Sequence, residues 1–474
     1  MRHHSFHLML TTAAVAVSLA IASSPGSFAQ SNPAAPAKPA PAPDSPASLP
    51  DQEIGRRITV KADDLPRPKT GPVVASRSLT LPYTGQAPRV PDGFTATAFA
   101  TGLEHPRRLL VLPNGDVLVA EQKVGYVTLL RDDDGDGKAD WINRHIEGLN
   151  GPYGLAWRDG KVLIADQDGI WEVPHRLGAV RPGMGASDTK AADIPPEQRR
   201  PTPSLVGEKM LTKKGVFGIV MGHANRHLAI DPKTGGLFVG VGSSGNIGVE
   251  PEVKASIQRF DADGGNQTTF ASGLRNATSV AFHPDTGDLY TVVQERDGLG
   301  DNLVPDYFTR VQQGGFYGWP YSYIGQHPQP GFAQLRPDKV KAAVTPDVLF
   351  QAHSSAMDIA FYTGSQFPAE YRGDAFVALK GSWNRSEPTG YKVVRVPFKD
   401  GKPQGSYQNF ITGFWRHASR RSLGPAGGAR RRQGWLASGR RRYRRHHLAH
   451  RLHRRKAGRQ RSAAADHGHE VVEL

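Results

Sequence analysis

The sequence predicts an all-β fold, a β-propeller with five visible blades and at least one more needed to close the ring. Three observations predict it. A unit of apolar strand, tight turn of Asp, Gly or Asn, and second apolar strand recurs five times. The copies stand roughly 45–50 residues apart, the length of a four-stranded blade, except where two long insertions separate them. The 53 Gly and 37 Pro among 474 residues, without long apolar runs at helical spacing, favour strands and turns over helices. A blade buries its faces only against its neighbours, so an isolated row of five would leave two apolar faces bare.

In chain order, residues 1–29 read as a secretory signal. Arg2, His3 and His4 precede an apolar run over residues 8–22, and Ser27-Phe28-Ala29 offers a small-x-small cleavage site. The run is shorter than the ~20 residues a membrane span needs. The mature protein is therefore expected to be exported to the periplasm and soluble, with at most a loose membrane association. Residues 30–57 form a Pro/Ala-rich linker. Residues 58–414 carry the propeller. Its hairpins are LLVLPNGDVLVAE (109–121), LAWRDGKVLIAD (155–166), LAIDPKTGGLFVGV (228–241), VAFHPDTGDLYTVV (280–293) and IAFYTGSQFPAEYRGDAFVAL (359–379). The insertions are residues 176–215 and 294–350.

A sixth hairpin should follow Phe414, and none does. Residues 415–474 hold 17 Lys and Arg against 3 Asp and Glu, with no strand periodicity. Such a charge run ordinarily reads as a disordered tail. A frameshift accounts better for its place: RRRYRRHHLAHR (440–451), back-translated and read one base later, permits DDDTGGTIWRI, the end of one hairpin and the start of another strand. The tail also explains the net charge of +15, since the first 414 residues are near neutral. The basic balance is thus no argument for nucleic acid as a partner. The absence of cysteine excludes disulfides, thiolate metal sites and cysteine nucleophiles. No GxGxxG follows a strand to open a helix, so a nicotinamide cofactor is not expected.

Four loop groups carry candidate chemistry. In GHANRHLAI (222–230), His223 is placed on a turn as a general base or as a surface or packing residue, and His227, nearer the strand, as structural. In SGLRNATSV (272–280), Arg275 offers a cation for an oxyanion or carboxylate, with the Asn276 amide beside it. The alternative is an arginine that caps loop carbonyls. QERDGLGDNLVPDY (294–307) supplies oxygen ligands suited to calcium through Glu295, Asp297, Gly298 and Asp301, or is a solvated acidic loop. FVALKGSWNRSEPTGY (376–391) sets Lys380, Trp383 and Arg385 together, a set suited to a planar anion. RDDDGDGKAD (131–140) resembles an acidic calcium loop without the glutamate at position twelve, and is taken as a hairpin turn.

HANRHLAI, GLRNATSVAFHP, ERDGLGDNLVPDY, GGFYGWP and ALKGSWNRSEPTGYKVVRV, in this order over residues 93–414, resemble the soluble quinoprotein glucose and sorbosone dehydrogenases, and most nearly their L-sorbosone dehydrogenase-like branch. The resemblance implies a six-bladed propeller, which matches five blades plus one disrupted by the tail. It implies oxidation of a sugar or sugar aldehyde, L-sorbosone or an aldose, with pyrroloquinoline quinone (PQQ) and calcium as cofactors and a quinone or cytochrome as electron acceptor. His223 would take the hydroxyl proton while hydride passes to the quinone. Arg275 would stabilise the resulting oxygen, Asn276 and Lys380 would contact the quinone, and the carbonyls of Asp297 and Gly298 would hold calcium. Two departures matter: Leu149 stands where the glucose branch has a quinone-contacting glutamine, and the tail removes arginines that the last blade contributes. A ring open at that point would bind the cofactor weakly or not at all. A calcium-dependent lactonase-type propeller hydrolase and a non-catalytic propeller binding module remain as alternatives.

Overall fold

Each hairpin of the sequence becomes the first half of an antiparallel sheet. The computed structural model describes residues 50–75, 83, 85–178, 208–415 and 450–454. The first blade runs Pro106–Val111, Val117–Glu121, Tyr126–Arg131 and Trp141–Ile146. The second runs Gly154–Arg158, Lys161–Ala165, Ile170–Pro174 and Lys209–Met210. The third comprises Leu228–Ile230, Leu237–Val241, Ser256–Phe260 and Thr268–Ser272, and the fourth Ala277–Phe282, Leu289–Val293, Pro305–Arg310 and Val348–Ala352. The fifth has Ala356–Phe361, Ala375–Leu379, Lys392–Val396 and Tyr407–Ile411, to whose outer edge Arg57–Ile58 adds another strand. One short helix, Pro337–Ala342, lies within the second insertion.

The second strand of each blade explains the apolar runs. Val117–Glu121, Leu237–Val241 and Leu289–Val293 are buried at every position, because each is covered by a blade on either side. The apolar clusters follow suit. Leu118, Leu129, Leu155 and Ile164 join the first two blades, and Val292, Phe308, Ile359 and Val377 join the last two. Successive inner strands pack against one another around the channel.

Five blades stand among the described residues, and the expected sixth does not. In its place Phe94–Ala98 pairs antiparallel with His450–Arg454 of the tail; residues 416–449 and 455–474 lie outside the described set. The chain just before the first blade covers both of the faces that a sixth blade would bury. Phe94 and Ala96 pack on the fifth blade with Phe367, Phe376 and Phe410, while Phe99, Ala100 and Leu103 pack on the first with Leu109, Val119 and Leu130. Inside, Arg108 of the first blade reaches Asp358 of the fifth at 2.8 Å, so the channel is bridged where a bare gap was expected.

Two expectations about organisation change. Packed structure begins before Ile58: Gln52 is buried, and Asp51 pairs with Lys392. The segment taken as a second insertion supplies the fourth blade's two outer strands. The signal segment lies outside the described residues. No described helix is long and apolar enough to cross a membrane.

Candidate active site on one face of the propeller

In a four-stranded meander the inner strand begins, the second ends, the third begins and the fourth ends at the same end of the blade. The loops holding His223, Arg275–Asn276, residues 294–304 and residues 380–391 each precede an inner strand or follow a second strand. All four candidate groups therefore lie on one face. The acidic loop 131–140 joins the third and fourth strands of the first blade, which puts it at the opposite face as a hairpin turn.

His223 is held by its Nδ1, which lies 3.0 Å from the Ser243 carbonyl and 2.9 Å from the Ser243 hydroxyl. A carbonyl can only accept, so Nδ1 carries the proton and Nε2 keeps a free lone pair. Burial, and then the charge of Arg275, push the imidazolium down to about 4, against the pull of the Ser243 carbonyl. The backbone joins the same groups: His223 N–H donates to Ser243 O at 3.0 Å, and Ser243 N–H to Arg275 O at 2.8 Å. His227 is structural, as its position near the strand suggested. It is fully buried, and accepts the Val280 N–H at Nδ1.

Gly242 is what lets these groups meet. A Cβ there would sit 2.5 Å from His223 Cβ and from Asn225 Oδ1, and closer still to Asn276 Oδ1. Gly242→Ala is expected to cost about 1–3 kcal/mol by overpacking and to displace the His223 turn. Chemical denaturation and turnover of the variant check this; unchanged values would mean the turn relaxes freely.

Arg275 takes the capping role rather than the exposed one. It is buried, and donates from Nε to Asn246 O (3.0 Å), from Nη1 to Gln294 O (3.2 Å) and Glu295 O (2.7 Å), and from Nη2 to Asn246 Oδ1 (3.1 Å). Those four contacts leave one of its five N–H groups. Its main work is to fix the loops flanking His223, upon which its charge still acts. Asn276 donates from Nδ2 to Gln294 Oε1 at 3.1 Å, while its buried Oδ1 meets no donor.

The fifth-blade loop divides its candidates. Lys380 is exposed at the end of Ala375–Leu379, and Trp383 is 45% exposed. Arg385 is spent on bracing: Nη1 donates to Asp301 O at 2.5 Å and Nε to Glu387 O at 2.9 Å.

The acidic side chains among the four metal candidates, Glu295, Asp297 and Asp301, do not form a group of three within 4.8 Å of one another. Glu295 is buried, with its Oε2 accepting Arg296 N–H, and burial pushes its carboxyl up to about 8. Asp297 bonds Asn384 Nδ2 at 2.6 Å through its carboxylate, and its carbonyl already accepts Asn246 Nδ2 at 3.2 Å and Arg296 Nε at 3.0 Å. The Asp301 carboxylate caps Ser386 N–H, and Gly298 is an exposed turn residue at φ +89°. Each carboxylate is thus satisfied by N–H groups of its own surroundings. Among the described residues only Asp132, Asp134 and Asp136 bring three carboxylates within 4.8 Å of one another, at the far face.

Sequence reasoning missed Gln122 and Gln167. From the first and second blades they donate to one acceptor, the Ala224 carbonyl next to His223, at 3.0 and 2.5 Å. Leu149, by contrast, is buried in the core between these blades. Aligning the hairpins would have found both glutamines, because Gln122, Gln167, Ser243, Gln294 and Lys380 all closely follow a second strand.

A family model described as TrAA12-like matches residues 337–417. An uncharacterized protein of Borreliella burgdorferi is 27% identical over 342 residues, covering 69% of this chain and 82% of that one. A pyrroloquinoline quinone-dependent pyranose dehydrogenase of Coprinopsis cinerea is 29% identical over 221 residues, which is 37% of this chain and only 30% of that protein's length. Among solved structures, an iodide structure of the Trichoderma reesei carbohydrate-active enzyme of family AA12 has a TM-score of 0.55 at 20% identity, covering 71% of this chain and 90% of that one. The holo pyranose dehydrogenase PQQ domain of Coprinopsis cinerea has a TM-score of 0.53 at 20% identity, covering 70% and 87%. By fold and by partial sequence match, the chain resembles the PQQ-dependent pyranose dehydrogenase and the AA12 enzymes.

Proposed function

We propose that this chain is an exported quinoprotein dehydrogenase that oxidises a sugar or sugar aldehyde, L-sorbosone or an aldose, and passes the electrons to a quinone or cytochrome. The observation that carries the reading is His223, its Nδ1 fixed by Ser243 and its Nε2 lone pair free, beside an Asn276 oxygen that lacks a donor. PQQ fits these residues. Lys380 and Trp383 offer a cation and a ring face to a planar polyanion, and the Asn276 oxygen suits a pyrrole N–H or a sugar hydroxyl. When bound, the quinone supplies a hydride acceptor, and the protein positions and deprotonates. His223 Nε2 takes the proton of the hydroxyl being oxidised, Ser243 holds the ring for that transfer, and Gln122 and Gln167 steady the turn through Ala224.

Calcium is accommodated less readily. Binding at the Asp297 carbonyl requires Asn246 and Arg296 to release it. A lactonase-type hydrolase is disfavoured for a related reason, since it needs carboxylates converging on this face, and the described ones converge only at residues 132–136.

The test is reconstitution with PQQ, with calcium or with a chelator, followed by dye-linked sugar oxidation. His223→Ala is expected to lose about 100-fold or more in turnover, and unchanged turnover would remove the base from the mechanism. The acid limb of kcat/KM should fall as pH drops through about 4, because the base works only when neutral. A limb near the ordinary histidine value of about 6.5 would contradict the buried geometry.

A further inference from the structure

The loop leading into His223 presents Ile219, Val220 and Met221 to solvent at 69%, 56% and 58% exposure. No other three consecutive large hydrophobics are exposed among the described residues. A water-facing run of this kind is a cost unless something covers it. The loop is built to hold it outward. Phe217 is fully buried against Phe260, with the Arg226 guanidinium 5.4 Å from its ring, and anchors the base. The buried Lys254 ammonium donates from beneath to the carbonyls of Ile219 (3.3 Å) and Met221 (3.4 Å). Gly218 and Gly222, both at φ +77°, turn the chain into and out of the tip. The backbone is thus tied inward while the side chains point outward. Exposed Lys213 and Lys214 precede the tip in the chain, Lys214 with its Nζ 3.4 Å from Asp168, and the loop that the tip packs against carries Val249, 60% exposed, and the exposed Glu252.

We propose that residues 213–221 are a membrane-docking tip that inserts Ile219, Val220 and Met221 among the headgroups of an anionic phospholipid surface. Lys213 then lies at the level of the lipid phosphates with its charge opposite the lipid's, and Lys214 joins it by exchanging Asp168 for a phosphate. A protein partner is the poorer occupant. A stable interface asks for about 800 Å² from each side and for aromatic or arginine anchors, whereas this surface is a convex aliphatic point. Docking would place His223, two residues beyond Met221, at the membrane side of the molecule. The inference stands apart from the proposed chemistry.

Because the chain has no cysteine, a single Val220→Cys in the full-length protein takes one polarity-sensitive fluorophore, and Lys233→Cys, on a turn of the opposite face, takes the control. On adding vesicles of phosphatidylglycerol and phosphatidylcholine, the probe at 220 should brighten several-fold and shift to the blue while that at 233 stays aqueous. Replacing Ile219, Val220 and Met221 with Ser should weaken vesicle binding by about tenfold or more, and 0.5 M salt should weaken it by screening. An aqueous probe at 220 on vesicle-bound protein would overturn the proposal, leaving the basic tail as the source of binding. A probe at 220 that responds to protein concentration without vesicles would overturn it in favour of self-association.

Discussion

Asp358→Ala should destabilise the propeller by about 3–5 kcal/mol, measured by urea unfolding at neutral pH. Four blades converge on the Asp358 carboxylate. It accepts Arg108 Nη1 of the first blade at 2.8 Å, the Ser279 hydroxyl of the fourth at 2.6 Å and its own neighbour Ile359 N–H at 2.8 Å, and His227 Nε2, at the head of the third, lies 3.2 Å away. Because His227 Nδ1 accepts the Val280 N–H, its proton sits on Nε2 and points at the carboxylate. Burial alone would push Asp358 up; the Arg108 charge and the His227 contact hold it far below the usual carboxylate range. Removing it strands a guanidinium in the channel and frees the link between the first and fifth blades, the pair that a sixth blade would otherwise join.

Two further outcomes separate this account from simple loss of packing. Arg108→Met in the Asp358→Ala background should recover part of the loss, because a buried pair replaced by apolar groups costs less than a pair broken on one side. The pH dependence has a fixed sign. The folded-state pKa lies below the unfolded one, so the stabilisation is present above about pH 4 and is lost as the pH falls further. A loss under 1 kcal/mol for Asp358→Ala would show that the ring is held by blade packing alone.

What could be read from the sequence follows from what each signal encodes. Turn chemistry and apolar runs are local, so the five hairpins, and with them the face on which the candidate loops lie, were legible. The contrast between His223 and His227 was legible for the same reason: one lies on a turn and the other against a strand, and the structure leaves the first half-buried and buries the second in the channel. For Arg275 the sequence left the capping and the exposed roles both open, because three of its four contacts are to backbone carbonyls of loops 29 and about 20 residues away, and carbonyls carry no residue identity. The acidic residues of the 294–304 loop were open in the same way, since a carboxylate bonded to Asn384 or to Ser386 N–H looks in sequence like one awaiting a metal. Asp358 was hidden inside an apolar strand, where one polar residue among hydrophobics reads as noise unless its cross-channel partners are known.

Asp51→Ala should cost about 3 kcal/mol, although composition places Asp51 in a Pro/Ala linker. Lys392, on the fifth blade's third strand, points inward with a side chain 0% exposed, and its ammonium has Asp51 Oδ1 and Asp51 O each at 2.9 Å. Burial pushes that ammonium's pKa down and Asp51 pulls it back up, so without the carboxylate a buried charge stays unpaired or gives up its proton. The neighbouring backbone is tied in as well: Asn409 Nδ2 donates to Asp51 O at 2.9 Å and Glu53 O at 2.8 Å, and Thr412 Oγ1 to Gln52 O at 3.0 Å. A protein shortened to begin at Ile58 should therefore lose more than the point variant, because it also gives up these bonds and the outer-edge residue Arg57. Lys392→Met is the discriminating partner: combined with Asp51→Ala it should be more stable than Asp51→Ala alone. If the double variant is no better, the segment acts through its backbone bonds, and the charge pair contributes little to holding the fifth blade closed.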